Sequence, residues 1–531
     1  MNTTHATFLL VIACAALPAA ARWPADSSVN QLVCDRPEMQ TNARVCCTSD
    51  GGCYIAWYDR SAGGWDIHLQ RYDAAGNLRW PSGSVKIADR PFQWKGRFDL
   101  AVDGEDHALV AYHDIRDGSD QMIVTRISPE GGPVWGEEGI QLTDCSGGVF
   151  VGFAQVAAAS DGEIVVAWTH EVIKPALHPV IGMHRFAPDG TAVWPEPVLL
   201  EDPDYGEFWL CDLEASDDGA VIVSWVRSSG YCSPHHLWAQ KYDPEGHPMW
   251  NADCVRGVPH VTVFDGGGLQ VAAYPAFVPD GSGGAAFSWY RIDPGPKQVF
   301  AQHVLGDGTE AFGHNGSAVS TAPRLRGEPA VSFNGKTGET FVFWVEHHLG
   351  QSVDGIYGQK FDAKGARQWS DQGIILVPGG DPYCGQVSTV PHADGAIAVW
   401  LEDVGKEEYF LNAARLNGEG EFVWWPAIQA VCSHPASKNE PAVVKNCHDM
   451  VIAAWADGRG EDSDIYAQNI NTDGVCGVRD GDVNGDDAVD VVDLLLLLDN
   501  WACDAGYCPG DLNQDGCTDV VDLVILLGDW G

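Results

Sequence analysis

Positively charged residues are scarce in this sequence, which has 31 lysine and arginine residues against 74 aspartate and glutamate residues and a formal net charge of −43 at pH 7. Phosphate-rich partners need clustered Lys and Arg side chains, so this balance argues against binding to nucleic acid or to an anionic membrane. Beyond the N-terminal stretch, no apolar run approaches the ~20 residues of a transmembrane helix. The charge favours cations and neutral polymers as partners.

Several catalytic motifs are also missing. The sequence has no nucleophile elbow, no phosphate-binding loop and no zinc-binding helix, and the sialidase Asp-box does not recur. Pairs of carboxylates suited to glycoside hydrolysis are possible anywhere among 74 acidic residues, and none stands out. The sequence therefore identifies no catalytic residue.

The chain does contain a repeated unit, and residues 49–80 are its first copy. Each copy has an Asp-Gly turn, an apolar run ending in an aromatic residue, a variable polar loop, a second strand-like run, and typically a Gly four residues before a Trp. The aromatic residues that end the apolar runs recur eight times, 55 to 64 residues apart: Trp57, Tyr112, Trp168, Trp225, Trp289, Trp344, Trp400 and Trp455. A period of this size with strand-like content is typical of a β-propeller.

The eighth repeat stops early, because no Trp follows Asp473-Gly474 at the expected place. Its missing end is found at the start of the chain, where residues 22–37 resemble residues 79–91 at the end of the first repeat. We expect this N-terminal segment to supply the outer strand of the last blade, which closes the ring and removes an exposed sheet edge. The sequence thus predicts an all-β, eight-bladed β-propeller of four-stranded blades over residues 22–477, with seven blades as the alternative if one repeat is irregular.

Six of the repeats end in Gly-x-x-x-Trp: Gly76/Trp80, Gly131/Trp135, Gly190/Trp194, Gly246/Trp250, Gly365/Trp369 and Gly420/Trp424. These endings resemble the tryptophan-docking motif of quinoprotein-like propellers, and the whole repeat resembles that of secreted planctomycete-type propeller proteins that carry a C-terminal dockerin. The resemblance implies that these Trp side chains pack between blades. Adjacent Cys46 and Cys47 suit a quinone-dependent oxidase, but the sequence shows no matching calcium-ligand and catalytic-Asp constellation.

Residues 1–21 are typical of an export signal, with an apolar stretch over residues 8–17 and a small-residue cleavage site at Ala19-Ala20-Ala21. An alternative is lipidation at Cys14, because residues 11–14 resemble a lipobox. The 16 cysteines agree with an oxidising compartment. We therefore expect a secreted or cell-surface protein with disulfides.

Two 12-residue acidic loops, residues 482–493 and 511–522, carry oxygen-bearing side chains at positions 1, 3, 5, 9 and 12. This is EF-hand-like chemistry, since Ca²⁺ takes six to eight oxygen ligands and such spacing wraps a short loop around one ion. The predicted ligands of two calcium ions are Asp482, Asn484, Asp486, Asp490 and Asp493 with the carbonyl of Ala488, and Asp511, Asn513, Asp515, Asp519 and Asp522 with the carbonyl of Cys517.

Each loop leads into an apolar helix, and two such units in tandem over residues 480–531 resemble a type I dockerin. The resemblance implies docking to a cohesin-like or other protein partner. Position 6 of the first loop is Asp487 instead of Gly, and Val491-Val492 and Val520-Val521 stand where many dockerins present a Ser/Thr pair to cohesin. These valines are expected to pack within the module or against the propeller, and a local disulfide is expected between Cys503 and Cys508.

Ligand binding is expected on the variable loops of one propeller face, because loops on a rigid scaffold usually carry binding residues. The candidate sugar-stacking aromatic residues in blade-linking loops are Trp94, Tyr205, Trp209 and Tyr383, with packing between blades as the alternative. The sequence favours an exported, non-catalytic protein that docks through its C-terminus and binds polysaccharide or protein through the propeller. The alternative is a dockerin-tethered enzyme of polysaccharide catabolism, either a glycoside hydrolase or a lyase.

Overall fold

The computed structural model describes residues 22–80, 83–90, 96–116, 119–143, 150–173, 177–230, 233–250, 258–293, 295–347, 354–380, 383–503, 508–513 and 517–531. The predicted export signal over residues 1–21, with the alternative lipidation site Cys14, lies outside these ranges. No helix in the described ranges is long and apolar enough to cross a membrane.

The described strands form eight antiparallel sheets, the blades of a propeller. The first four blades are β2 (Gln40–Cys47), β3 (Cys53–Asp59), β4 (Asp66–Tyr72) and β5 (Val85–Ala88); β6 (Asp99–Val102), β7 (Ala108–Arg116), β8 (Ser119–Ile127) and β9 (Ile140–Gln141); β10 (Val151–Ala158), β11 (Ile164–Val172), β12 (His178–Phe186) and β13 (Val198–Leu200); and β14 (Glu207–Ala215), β15 (Val221–Ser228), β16 (His236–Tyr242) and β17 (Val261–Phe264). Each blade follows one sequence repeat, so the prediction of eight blades is confirmed.

The fifth blade has two short inner strands that pair with the same partner, and the eighth takes its outer strand from the N-terminus. The later blades are β18 (Gly268–Leu269), β19 (Phe277–Pro279), β20 (Ala285–Asp293), β21 (Gln298–Val304) and β22 (Ser317–Ala318); β23 (Leu325–Asn334), β24 (Glu339–His347), β25 (Asp354–Phe361) and β26 (Ile374–Gly380); β27 (Cys384–His392), β28 (Gly395–Gly405), β29 (Glu408–Leu416) and β30 (Gln429–Ala436); and β31 (Lys438–Lys445), β32 (Val451–Asp457), β33 (Asp464–Ile470) and β1 (Gln31–Cys34).

The ring closes through β1, which pairs antiparallel with β33 and places Gln31 opposite Ala467. The first and last parts of the propeller thus share one sheet, as the similarity between the chain start and the first repeat predicts. Closure in this way satisfies the backbone groups of β33 that would otherwise form an open sheet edge.

The eight aromatic residues that end the apolar runs all lie in the second strand of their blades and are at most 2% exposed. These strands are apolar on both faces because each blade packs against a blade on either side. The core is therefore divided among the blade interfaces, as in the cluster that joins Tyr58 of the first blade to Phe98 of the second, with ring centroids 4.9 Å apart.

A second set of Trp residues links each blade to the next. The indole N–H of Trp80 donates to the Pro129 carbonyl at 2.8 Å. The Trp80 ring also packs closely over Gly131 in the same turn, because a Cβ at that position would lie only 3.2 Å from the ring. The same bond recurs in the pairs Trp135 to Pro188, Trp194 to Pro244, Trp250 to Gly306, Trp369 to Gly418 and Trp424 to Thr472. In the fifth blade Phe312 takes the place of Trp and covers Gly365.

Trp23 completes this series from the N-terminus. Its indole N–H donates to the Ala74 carbonyl at 2.9 Å, and its ring covers Gly76 in the first blade. The N-terminal segment that supplies the outer strand of the last blade thus also supplies the last of these interblade contacts.

The two propeller faces differ in the loops and turns that they carry. The top face carries the loops between the second and third strands of each blade and the links between blades. The bottom face carries the turns between first and second strands and between third and fourth strands, including the repeated Asp-Gly turns. The C-terminal module contacts the bottom face, where Nδ1 of His448 donates to the carbonyl of Gly485 at 3.1 Å.

The module contains helices α1 (Val491–Asp499) and α2 (Val520–Gly528). Each begins at an Asp that forms a capping box with the Asp three residues later, which satisfies free N–H groups of the first turn. Val483, Val489, Leu497 and Leu526 form its small core. The expected disulfide between Cys503 and Cys508 is present.

Replacing Trp23 by Phe should lower the free energy of unfolding by about 1–2 kcal/mol, because the buried Ala74 carbonyl loses its donor while most of the ring packing remains. Denaturant unfolding of the full chain measures this loss. The control is Trp425→Phe, since Trp425 is 93% exposed and should give no change. Equal unfolding midpoints for the two variants would contradict a role for Trp23 in closing the ring.

Candidate functional site at the channel mouth

The inner strands of the blades surround a central channel, and three cavities in it are lined by residues that the structure describes. Two cavities, of about 470 and 350 Å³, lie toward the top face. A third, of about 380 Å³, lies toward the bottom face between Cys46, Ala158 and Lys445. Volumes of this size suit small ligands or a few units of a polymer.

Five of the described inner strands have a left-handed residue at a bulge near the top of the channel. The bulge residues have φ between 49° and 55°, a left-handed conformation that is unusual for residues other than Gly: Asn42, Phe153, Glu328, Gln386 and Glu440. The pairing register of each strand shifts at this point. Bulges of this kind redirect side chains, and here they place Asn42, Phe153 and Glu440 in the wall of the 350 Å³ cavity.

Side chains of two bulges hold the neighbouring inner strands in place. The carboxylate of Glu328 accepts the N–H of Gln386 at 3.0 Å, and the side-chain oxygen of Gln386 accepts the N–H of Glu440 at 2.7 Å. The left-handed backbone at these positions is therefore stabilised by contacts between blades.

Aromatic side chains gather at the top of the channel around Phe153, in a group that we call the mouth cluster: Arg97, Phe150, Phe153, Trp209 and Tyr274. The ring of Phe153 lies 4.8 Å from that of Tyr274 and 5.6 Å from that of Trp209. The guanidinium of Arg97 lies 5.0 Å from the Phe153 ring and 4.9 Å from the Tyr274 ring. The four rings are half-buried, so aromatic surface is open to the channel.

Of the four aromatic residues predicted to bind ligand, the structure places Trp209 in the mouth cluster. Tyr205 and Tyr383 are exposed in separate links between blades, where Tyr205 contacts His178 and Tyr383 contacts Tyr409. Trp94 lies outside the described residues. Of the three predicted residues that the structure describes, the site therefore contains Trp209. It also includes Phe153 and Tyr274, which were not predicted from the sequence.

Carboxyl groups lie below the mouth, in the lower channel. Asp99 accepts the N–H of Val156 at 2.9 Å and Asp212 accepts the N–H of Phe277 at 3.1 Å, so each bonds to the inner strand of the next blade. Burial raises the pKa of Asp212 to about 7, with a further contribution from Asp99.

Burial, together with Asp212 and Asp99, also raises the pKa of the Glu214 carboxyl well above its usual value. Burial of this kind favours the protonated form of a carboxyl group. The lower channel therefore holds groups that are able to donate a proton.

The first predicted calcium loop has hard oxygen donors, and the Arg22 guanidinium lies near enough to interact electrostatically with Asp482 and Asp493. Asp482 and Asp493 are fully buried, and no Lys, Arg or His side chain of the described chain forms an ion pair with either one. The carboxylate of Asp493 accepts the N–H of Val483 at 2.8 Å and that of Asn484 at 3.1 Å. This donor set fits a hard cation such as Ca²⁺.

Within the described ranges, no three His, Cys, Asp or Glu side chains converge closely enough to hold a metal ion. A cation in the first loop would be held by the carboxylates of that loop together with the amide oxygen of Asn484 and the carbonyl of Ala488. In the second loop, Asp522 accepts the N–H of Leu512 at 2.7 Å and that of Asn513 at 3.0 Å, which repeats the pattern of the first. Asp515 lies outside the described residues.

Both helices of the module expose an apolar face. Ten side chains at equivalent positions are between 44 and 64% exposed: Val491, Val492, Leu495, Leu498, Trp501, Val520, Val521, Val524, Leu527 and Trp530. The expectation that the valine pairs pack within the module or against the propeller is wrong, because the helices direct other residues, such as Leu497 and Leu526, into the small core. Residues 480–531 contain no Lys, Arg or His.

No protein-family model matches this sequence, and no curated protein matches it. Among solved structures, the polysaccharide lyase Uly1 is 11% identical with a TM-score of 0.43, over 82% of this chain and 90% of the lyase. A PL25 ulvan lyase is 11% identical with a TM-score of 0.45, over 86% and 96%. An α-L-arabinanase of Penicillium chrysogenum, complexed with arabinobiose, is 11% identical with a TM-score of 0.36, over 86% and 98%. The sequence identities and TM-scores are low, and we infer no chemistry of the site from these similarities.

Stability should depend on pH through Asp212. Because its pKa in the folded protein is about 7, against roughly 4 for an unfolded chain, the folded state binds more protons between these values. Stability therefore falls as the pH rises through this window. Replacing Asp212 by Asn, which retains an acceptor for the Phe277 N–H, should reduce the loss between pH 5 and pH 7 by roughly 1–3 kcal/mol.

Denaturant unfolding at the two pH values measures this difference. Glu419 lies in an exposed turn, so Glu419→Gln is the control and should leave the pH dependence unchanged. Parallel pH profiles for the wild type and Asp212→Asn would show that the Asp212 carboxyl ionises normally in the folded channel.

Proposed function

We propose that the protein recognises a neutral polysaccharide at the mouth cluster. The observation that carries the proposal is the group of half-buried aromatic rings around Phe153 at the channel mouth. Flat aromatic rings stack on the apolar faces of sugar rings, and nearby polar groups orient the ligand. Asn42 and Glu440 line the same cavity and would serve as hydrogen-bonding partners for sugar hydroxyls.

The charge of the chain supports a neutral ligand over an acidic one. A net charge of −43 repels polyanions over the distances that govern encounter. Arg97 supplies a local positive charge, but Glu440 lies in the same cavity wall. The mouth therefore offers aromatic stacking and hydrogen bonds without a strong excess of positive charge.

Cleavage of the bound polysaccharide is the second candidate function, and the carboxyl groups of the lower channel favour it. Burial raises the pKa of Asp212 to about 7 and raises that of Glu214, and a raised pKa is what a carboxyl group needs in order to act as a general acid toward a leaving group. The proposed binding residues and the carboxyl groups lie in the same channel. Substitutions at the two sets of residues can therefore distinguish binding from cleavage.

The C-terminal module would supply attachment. We propose that its two loops bind calcium and that the apolar face of α1 and α2 docks against a protein partner. The module contacts the bottom face of the propeller through Gly485, whereas the mouth cluster opens toward the top. Attachment through the module would leave the sugar site directed outward.

Replacing Trp209 by Ala should weaken polysaccharide binding roughly two- to tenfold, because stacking on an aromatic ring contributes about 0.5–1.5 kcal/mol. Affinity electrophoresis of the full chain against a panel of soluble neutral and acidic polysaccharides measures the effect. Trp425→Ala removes an exposed Trp outside the mouth cluster and should retain wild-type binding. Equal loss in both variants, or no loss in either, would exclude the mouth cluster as the binding site.

The same polysaccharides decide between binding and cleavage. If the protein cleaves its ligand, new chain ends should accumulate, and Asp212→Asn should slow their release while binding persists. A protein that binds without releasing chain ends, and whose binding is unaffected by Asp212→Asn, is a binding module.

Docking should fail when polar groups interrupt the apolar face of the module. We expect the double substitution Leu495→Asn and Val524→Asn to abolish capture of the full chain on cell-surface extract from the producing cells, since both residues are exposed at equivalent positions. The matched control Lys364→Gln alters an exposed turn on the propeller. Capture by the double variant at wild-type level would contradict docking through this face.

A further inference from the structure

Arg22 connects the N-terminus of the propeller to the entrance of the first calcium loop. Its guanidinium donates to the carbonyl of Asp480 at 2.8 Å and to that of Arg479 at 3.2 Å, and it also contacts the carbonyl of Asp482. The next residue, Trp23, forms the contact that completes the interblade series. Two adjacent residues therefore hold both the ring closure and the first loop.

The loop itself touches both blades that meet at the closure. The carbonyl of Gly485 accepts a hydrogen bond from His448 in a bottom turn of the eighth blade. Gly485 has φ of 69°, and a Cβ there would lie 2.7 Å from the carbonyl carbon of Ala74 in the first blade. A Cβ on Gly51, also in the first blade, would lie 2.5 Å from the His448 ring. The first loop thus packs across the joint between the first and eighth blades.

The segment between the propeller and the module is fixed on both sides. The side chains of Asn469 and Asn471 both donate to the carbonyl of Gly477 at 2.8 Å. Arg479 donates to the carbonyl of Asp529 at the end of α2, at 2.9 Å. A short, hydrogen-bonded segment therefore connects the propeller to the first loop.

We propose that cation binding in the first loop and closure of the propeller ring are coupled through Arg22, so that the C-terminal module acts as a calcium-dependent clasp. The inference rests on calcium binding by that loop, as proposed above. A cation that orders residues 482–493 fixes the carbonyl groups that Arg22 contacts and the position of Gly485 between the two blades. By linkage, a closed ring also binds the cation more tightly.

The test is calorimetry of the full chain in calcium chloride and in a chelator. Saturating calcium should raise the midpoint of propeller unfolding by about 3–5 °C, and it should slow hydrogen exchange of the β1 amides (Gln31–Cys34). Arg22→Met keeps the aliphatic stem but removes the donors, so it should lose most of both effects while still binding two calcium ions. Lys364→Gln removes a cation from a bottom turn of the sixth blade and should behave as the wild type.

Two further variants keep the test valid if Arg22→Met does not fold. Asp482→Asn in the first loop should abolish the calcium effect on the propeller, whereas Asp511→Asn in the second loop should retain it. The clasp is overturned if calcium binds and leaves the unfolding midpoint and β1 exchange unchanged, or if Arg22→Met or Asp482→Asn responds as the wild type does. Absence of calcium binding in isothermal titration would instead remove the calcium proposal itself, and the clasp with it.

Discussion

The structure depends on one repeated contact, in which a Trp indole donates to a carbonyl in a turn of the next blade and covers a glycine there. Seven of the eight blades make this contact, and in the fifth blade Phe312 covers the glycine instead. The contact links neighbours only, so each blade is held in place by the next, and the series is stable as a whole only when it returns to its start. Trp23 supplies that return, and β1 supplies the outer strand of the last blade. Since both lie near the N-terminus, a short segment of chain determines whether eight blades form a closed ring.

Closure has two consequences for function. It brings inner strands from distant parts of the sequence around one channel, so that Arg97, Phe153, Trp209 and Tyr274 become neighbours at the top. It also creates, on the bottom face, the joint across which the first acidic loop packs. The candidate sugar site and the attachment module thus lie on opposite faces, and both depend on the same closed ring.

The repeats, the eight blades and the role of the N-terminal segment could be predicted from sequence, because buried aromatic residues recur at a fixed period and the chain start resembles the end of the first repeat. Trp209 could be predicted as a candidate because it lies close to a blade link. Phe153 could not, because an aromatic residue inside a strand is usually a packing residue, and the apolar pattern of the strand does not reveal the bulge that places Phe153 in the wall of the channel cavity. The valine pairs were expected to be covered, but a module of two short helices has too small a core to bury them.

The most direct test of the account is hydrogen exchange of the full chain with and without an oligosaccharide of the polysaccharide that it binds best. We expect slower exchange at the tops of β10 and β14, in residues 150–153 and 207–211, and in the segment between β18 and β19, in residues 273–274, with little change in the bottom turns. Protection confined to the bottom face or to the C-terminal module, with none at the channel mouth, would contradict it.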